Sequence, residues 1–188
     1  MESRNLSRLP PFDKKSGALN IIVETPKDGR IKYKYNEKYG MFQFDKTMPY
    51  GFSFPFEFGF VPSKTGGDGD PLDVLVLSDE ATFPGCLVLG QVLGVLQAEQ
   101  REGKRVNRND RLVAIPLSVK TQEPMIPIKT LDKALISDIT KSSFLITKCK
   151  ARNSNPWALA AVNVLWTWSK KHASERARKG SSPEDKLL

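Results

Sequence analysis

Histidine and cysteine are almost missing from this chain of 188 residues, which holds one His, His172, and two Cys, Cys86 and Cys149. The lone imidazole lies in a basic C-terminal tail, which leaves little room for a Ser-His-Asp triad. One His and two scattered thiols do not make a zinc set, and their spacing is not that of a disulfide framework. A reducing compartment suits such a chain. Long apolar runs are missing as well: none approaches the roughly 20 residues that span a bilayer. The opening "MESRNLSRLPPFDKK" has no apolar core, so neither a secretory signal nor a membrane partner is expected, and a cytoplasmic location is. No fixed-period repeat and no low-complexity block is found.

What is present is enough apolar residue for one core, 39% against 27% charged, and a net charge of +8 that is unevenly placed. Residues 141–188 carry ten basic and three acidic side chains, whereas residues 1–140 carry nineteen and eighteen. A basic tail over 170–188 could meet nucleic acid or anionic lipid, but a solvated helix face is the expectation.

Residues 1–17 read as an extended lead-in containing Pro10-Pro11, and the whole of 1–188 as a single domain. "ALNIIVETP", "RIKYKYN", "GMFQFDK", "LDVLVL", "CLVLGQVLGVLQAEQ" and "RLVAIPL" are β-branched or aromatic runs bounded by turn signals, and they predict strands. The dense aromatic run "FSFPFEFGFVP" is broken by Pro55 and Gly59, and its phenylalanines are expected to fill core. Helical signals come late. Residues 129–146 could form one helix. Residues 155–179 predict a second, with Asn155 as cap, Pro156 in the first turn, cations toward the end and Gly180 as a stop. Trp157, Ala161, Val164, Leu165 and Trp168 would form its apolar face, packed on the body or on a partner subunit. Short strands followed by helices predict an α+β fold.

The stretch "TGGDGDPLDVLVL" crowds Asp68, Asp70 and Asp73 into six residues. An isolated Asp-Gly is only a turn signal. Here two acids at i and i+2 would point one way, and Asp73 opens an apolar strand where a charge is costly unless paired. A hard divalent cation relieves both problems. An EF-hand register from Asp68 fails, because Leu72 and Asp73 occupy its fifth and sixth places. An aspartyl-phosphate enzyme would place its acids after a strand, not before one. Clustered carboxylates with no soft ligands point to magnesium, which completes its shell with water and phosphate. Counter-charge for a phosphate is on hand: Lys32 and Lys34 share a strand face opposite Tyr33 and Tyr35, Lys46 ends the next strand, and Arg111 stands beside Asp110.

"DGDPLDVLVL" resembles the signature of soluble family I inorganic pyrophosphatases, and "IIVETPKDGRIKYKYN", "FPFEFGFVPSKTGG", "FPGCLVLGQVLGVLQAEQ" and "NDRLVAIPLS" resemble its flanking segments in order. The resemblance runs over about residues 18–120. It implies a small twisted antiparallel OB-like β-barrel with flanking C-terminal helices. It implies hydrolysis of inorganic pyrophosphate to two phosphates, with several Mg2+ ions per active site, in a cytoplasmic homo-oligomer. Carried over residue by residue, Asp68 and Asp73 resemble metal ligands, as does Asp110, with Asn109 the alternative for that slot. Glu99 is the further metal-ligand candidate, with Glu102 as its alternative. Asp70 resembles the general base that takes a proton from a metal-activated water, and Glu24 a supporting acid. Lys32, Lys46, Arg111 and Lys148 resemble phosphate ligands.

Several positions depart from that pattern. Lys34 stands where many members carry an acid, Lys46 where many carry Arg, and Phe54 and Phe58 where tyrosines are common. In "FLITKCK", Thr147 precedes Lys148 where a tyrosine is usual, and "WALAAVNVLWTW" has no counterpart in the pattern. These changes motivate a second reading, a catalytically impaired member that binds phosphate compounds or a partner. A third, an OB-like barrel whose basic tail meets nucleic acid, conflicts with the acidic loop.

Overall fold

A computed structural model describes residues 5–67, 69–102, 105–121, 123–125, 138–139 and 159–165; for 98–102, 105–108 and 159–165 only the backbone is described. Nine strands are defined among these residues: β1 (Leu19–Thr25), β2 (Ile31–Asn36), β3 (Met41–Thr47), β4 (Glu57–Thr65), β5 (Pro71–Val76), β6 (Leu87–Glu102), β7 (Arg105–Arg108), β8 (Arg111–Pro116) and β9 (Leu159–Leu165). A short 3-10 turn, Leu6–Arg8, precedes them, capped by the Asn5 side chain.

Five strands close a ring in the order β1-β4-β5-β8-β6, with β6 returning to pair β1. Closure removes the open sheet edges that five separate apolar strands would expose. Four junctions are antiparallel, but β5 and β8 run parallel, so the antiparallel expectation is corrected at that junction. The parallel pair follows from connectivity, because β6 lies between β5 and β8 in sequence and reverses the chain once more.

Alternation along the strands sorts the apolar residues into two layers. Leu19, Ile21, Val61, Val74, Val76, Leu112 and Ala114, with Val88, Val92 and Val95 of β6, come from all five ring strands and fill the barrel. The outer faces of β4, β5, β6 and β8 carry Phe58, Leu75, Leu93, Leu96, Val113 and Ile115, which are covered by Met48, Phe54 and Ile139. Beyond Asp73 both faces of β5 are therefore buried, which is why "VLVL" reads as an unbroken apolar run. Phe54 and Phe58 are core residues, as their sequence context predicts.

β2 and β3 form a separate hairpin between β1 and β4 in the chain, standing beside the ring as its own two-stranded sheet. β6 is sixteen residues long and serves several neighbours. It pairs β1 through Leu87–Gly90, β8 on the opposite edge through Gly90–Leu96, and β9 through Val95–Gln100.

That last pairing corrects the expected C-terminal helix. Residues 159–165 are a strand, antiparallel to β6. Beyond Gly90, β1 no longer covers this edge of β6, and backbone groups left without a ladder are costly. A segment holding Val162 and Val164 supplies the missing ladder. The remainder of 155–179 and the basic tail 170–188 lie outside the described residues. In the other expected helix, 129–146, Asp138 and Ile139 are helical, and the rest lies outside the described residues.

Candidate active site

A cleft of about 310 Å³ opens between the outer face of the barrel and the β2–β3 hairpin. Its two walls differ in charge. The barrel side contributes Glu24 from β1, Asp70 and Asp73 at the start of β5, and the rings of Phe58 and Phe60 from β4. The hairpin side contributes Lys32 and Lys34 from β2, Glu37 from the turn after it, and Asp45 and Lys46 from β3.

Local backbone features aim these groups. Cross-strand register places Ile22 beside Phe60 and Phe60 beside Asp73, so one outer stripe runs across three strands toward the cleft. Arg111 continues it: Asp73 and Arg111 each directly precede the paired residues Val74 and Leu112 of the parallel junction. Two β-bulges add carboxylates. In β1, Val23 pairs Gly59 and Thr25 pairs Phe58, which leaves Glu24 as the extra residue. In the hairpin, Lys32 pairs Lys46 and Tyr33 pairs Phe44, which leaves Asp45 as the extra one. A bulge turns one side chain out of the strict alternation, and both bulges deliver an acid to this cleft.

The acidic stretch is a tight turn between β4 and β5. The Gly66 N–H donates to Asp70 O at 2.8 Å, and the Gly69 N–H to Gly66 O at 3.2 Å. Gly69 takes a left-handed backbone, φ 87°, which suits glycine.

Charge is paired within the cleft. The Arg111 side chain is fully buried, and its Nε stands 3.4 Å from Asp73 Oδ2. Lys32, only 6% exposed, approaches Asp45 Oδ2 at 3.8 Å and lies 5.4 Å from the centroid of the Phe58 ring. Lys34 Nζ lies 3.7 Å from Asp70 Oδ2, both side chains more than half exposed. Glu24 accepts a hydrogen bond from the Tyr35 N–H at 2.7 Å. Burial strips water from its carboxylate and pushes its pKa up to about 7, against the opposing pull of that N–H and of Lys32. The Tyr35 hydroxyl accepts from the Leu6 N–H at 3.0 Å, and Tyr35 itself lines the cleft, so the expected separation of the tyrosine face from the lysine face does not hold at that residue. Ser7, in the 3-10 turn, closes one end.

Of the residues singled out in the sequence, Glu24, Lys32, Lys46, Asp70 and Asp73 come together in this cleft. Arg111 sits behind Asp73, and neither it nor Asp110 is among the lining residues. Asn109, the alternative to Asp110, is buried. Asp68, Lys148 and the side chains of Glu99 and Glu102 lie outside the described residues. Sequence reasoning named Lys34 as counter-charge for a phosphate without placing it among the site residues, and gave Asp45 no role. Lys34 was legible, two residues from Lys32 on a strand. Asp45 was not, since alternation alone would turn it away from its neighbour Lys46.

The donor set suits a hard cation, because every titratable acid on these walls offers oxygen and none offers imidazole or thiolate. Among the described residues no three such groups close around a metal position. Magnesium does not need them to, since it commonly uses one or two carboxylates and fills its shell with water and phosphate. Asp73 brings one such carboxylate to the cleft, with Asp70 beside it.

The model of the family described as inorganic pyrophosphatase matches residues 21–167. This chain belongs to that family. An inorganic pyrophosphatase of Synechocystis is 32% identical over 112 residues, 60% of this chain and 63% of the relative. One from Sulfolobus acidocaldarius is 31% identical over 66% of this chain and 69% of its own length. Among solved structures, the Thermus thermophilus inorganic pyrophosphatase superposes with a TM-score of 0.63 at 28% identity, covering 73% of this chain and 76% of its own. The Coxiella burnetii enzyme gives 0.65 at 27%, covering 83% and 90%. The match thus spans 63% of the length of the Synechocystis relative and 63% of an inorganic pyrophosphatase of Nostoc. The family match extends through β9, past the stretch where sequence motifs carry the resemblance. Among the described residues no helix is long and apolar enough to cross a membrane.

Proposed function

We propose that this chain hydrolyses inorganic pyrophosphate to two phosphates in the cleft between barrel and hairpin, with divalent cations as cofactor. The observation that carries the reading is the arrangement of charge: Glu24, Asp70 and Asp73 on one wall face Lys32, Lys34 and Lys46, interspersed with Glu37 and Asp45, on the other. A phosphoanhydride brings several negative charges and needs cations on both sides, and such chemistry asks the protein mainly for positioning and electrostatics.

Asp68 and Asp73 would hold the cation, joined by Asp110 and Glu99 on the family pattern. A bound divalent cation lowers the pKa of water and neutralises charge on the phosphoryl oxygens. The protein's own residues do the rest. Arg111 fixes the Asp73 carboxylate from behind, the role its full burial supports. Asp70, half-exposed at the cleft mouth, is the acceptor for the proton of the attacking water. Glu24 holds or releases a proton at its carboxylate near neutrality. Lys32 and Lys46, side by side across the hairpin, receive phosphate oxygens, and the Phe58 ring and Asp45 keep Lys32 in place. Lys148 completes the phosphate ligands on the same pattern. The pattern also brings magnesium as the cation, a homo-oligomer and the cytoplasm as compartment.

Phosphate release from pyrophosphate, titrated with Mg2+, tests this reading. Turnover should require the metal, and Asp70→Asn should lower kcat by orders of magnitude. The impaired-member reading draws on Phe58, which lines the cleft without the hydroxyl a tyrosine would offer. Pyrophosphate binding with no phosphate released at any Mg2+ concentration would select it.

A further inference from the structure

We propose that Ser7 is a substrate ligand, its hydroxyl donating a hydrogen bond to a phosphoryl oxygen at the end of the cleft that the N-terminal turn closes. The inference rests on the pyrophosphatase reading of the same cleft, and it adds a residue from outside the family match, which begins at residue 21. Among the described residues that line the cleft, Ser7 and Tyr35 carry hydroxyls. The Tyr35 oxygen already accepts from the Leu6 N–H at 3.0 Å. The Ser7 Oγ is closed to bulk water and has no hydrogen-bond partner among the described residues. A buried polar atom in that state costs stability, and in a cleft wall a ligand is the partner that accounts for it.

The turn holds the residue still while leaving that hydroxyl uncommitted. Both backbone polar groups of Ser7 are engaged: its N–H donates to Asn5 Oδ1 at 3.0 Å, and its carbonyl accepts from Ser63 Oγ at 3.1 Å. The same Ser63 hydroxyl lies 2.9 Å from the Leu9 carbonyl, so one side chain of β4 clamps the turn at two points. Ser63 takes a left-handed backbone, φ 55°, where the β4–β5 register breaks between Val61 and Thr65. Strain of that kind persists only where surrounding contacts hold it, and these two hydrogen bonds are such contacts. Leu6 and Leu9 pack against Ile22, Tyr35 and Phe60 beneath the turn. None of these contacts uses the Ser7 Oγ, which can pass between staggered positions by rotation about one bond. The cleft lysines are point charges, which attract an anion without fixing its orientation. A neutral hydroxyl on a pinned turn supplies the directional contact they lack.

Imidodiphosphate, a non-hydrolysed analogue, titrated by calorimetry into the full chain with Mg2+ present, reads binding apart from turnover. Ser7→Ala should raise its Kd about tenfold, the size expected when a hydrogen bond to a charged oxygen is lost, and should raise KM for pyrophosphate in step. Ser7→Thr, which keeps the hydroxyl, should hold both near wild type. The melting temperature of Ser7→Ala should stay at or above that of wild type, because the substitution removes no bond within the protein. Ser63→Ala releases the clamp and should weaken imidodiphosphate binding by way of Ser7, so its effect should largely vanish when Ser7→Ala is already present. A wild-type Kd in Ser7→Ala overturns the inference, while phosphate release by the wild type keeps the pyrophosphatase reading standing. A raised Kd that comes with a lowered melting temperature also overturns it, since the role is then structural. Absence of both imidodiphosphate binding and phosphate release in the wild type overturns both.

Discussion

Arg111 and Asp73 lie side by side on the parallel junction of the barrel, Nε 3.4 Å from Oδ2, with the arginine side chain fully buried and the aspartate still reaching the cleft. A buried guanidinium is tolerated only where carboxylate or carbonyl oxygens meet it. The geometry therefore couples core integrity to the orientation of a candidate metal ligand. Arg111→Met should cost about 3 kcal/mol in denaturant unfolding, in the range for breaking a buried pair. Arg111→Lys should cost less but still weaken Mg2+ binding, because a point charge does not hold the carboxylate plane.

Glu24 gives the metal-free protein a pH dependence. Its folded-state pKa is raised from 4.5 to about 7, so the folded state holds the proton more tightly than the unfolded chain does. The corresponding stability is fully present below pH 4.5 and is lost as pH rises through about 7. In EDTA, Glu24→Gln should remove this slope. The variant should gain on wild type above pH 7, by up to about 3 kcal/mol, since each pKa unit corresponds to about 1.4 kcal/mol. Urea unfolding at pH 5 and pH 8 measures the difference, and an unchanged slope in the variant would refute the assignment.

Lys32 is the most enclosed cation of the cleft, held by Asp45 and the Phe58 ring. Lys32→Met keeps the apolar stem and removes the charge. It should raise KM for pyrophosphate at least tenfold, the order expected when a charge-assisted contact of about 1.5–3 kcal/mol is lost. Steady-state phosphate release decides; an unaltered KM would remove Lys32 from the phosphate-binding set.

Gly59 marks a close approach of two ring strands, β4 and β1. A Cβ there would stand 2.2 Å from the Ile22 carbonyl oxygen, a backbone atom that cannot swing aside. Gly59→Ala should therefore separate β1 from β4 and cost about 3 kcal/mol or more, the upper range for overpacking. It should also disturb Glu24, which bulges out opposite this point. A thermal melt within a few degrees of wild type would contradict the close approach.

Strand positions in the first two thirds were legible because period-two and β-branched patterns are local properties of the chain. The same local logic failed at residues 159–165, where alanine content and a capping signal read as helix. The edge of β6 took that segment as a strand instead, and no local pattern reports an edge some sixty residues upstream. Site residues divide in the same way. Asp70 and Asp73 stand out because like charges crowded beside an apolar strand call for a cation. Asp45 does not, because its aim depends on a bulge set by pairing with β2.

By itself the sequence determined the acidic turn, the strands of the first two thirds and the family resemblance, all of which rest on residues near one another in the chain. Tertiary structure alone decided that the acids face the lysines, that Arg111 supports Asp73 from the core, and that Lys34 meets Asp70. Those relations depend on ring closure and on two bulges. Ring closure and the β1 bulge are settled by backbone hydrogen bonding between strands far apart in sequence, and the hairpin bulge by the pairing of β2 with β3; side-chain pattern specifies neither.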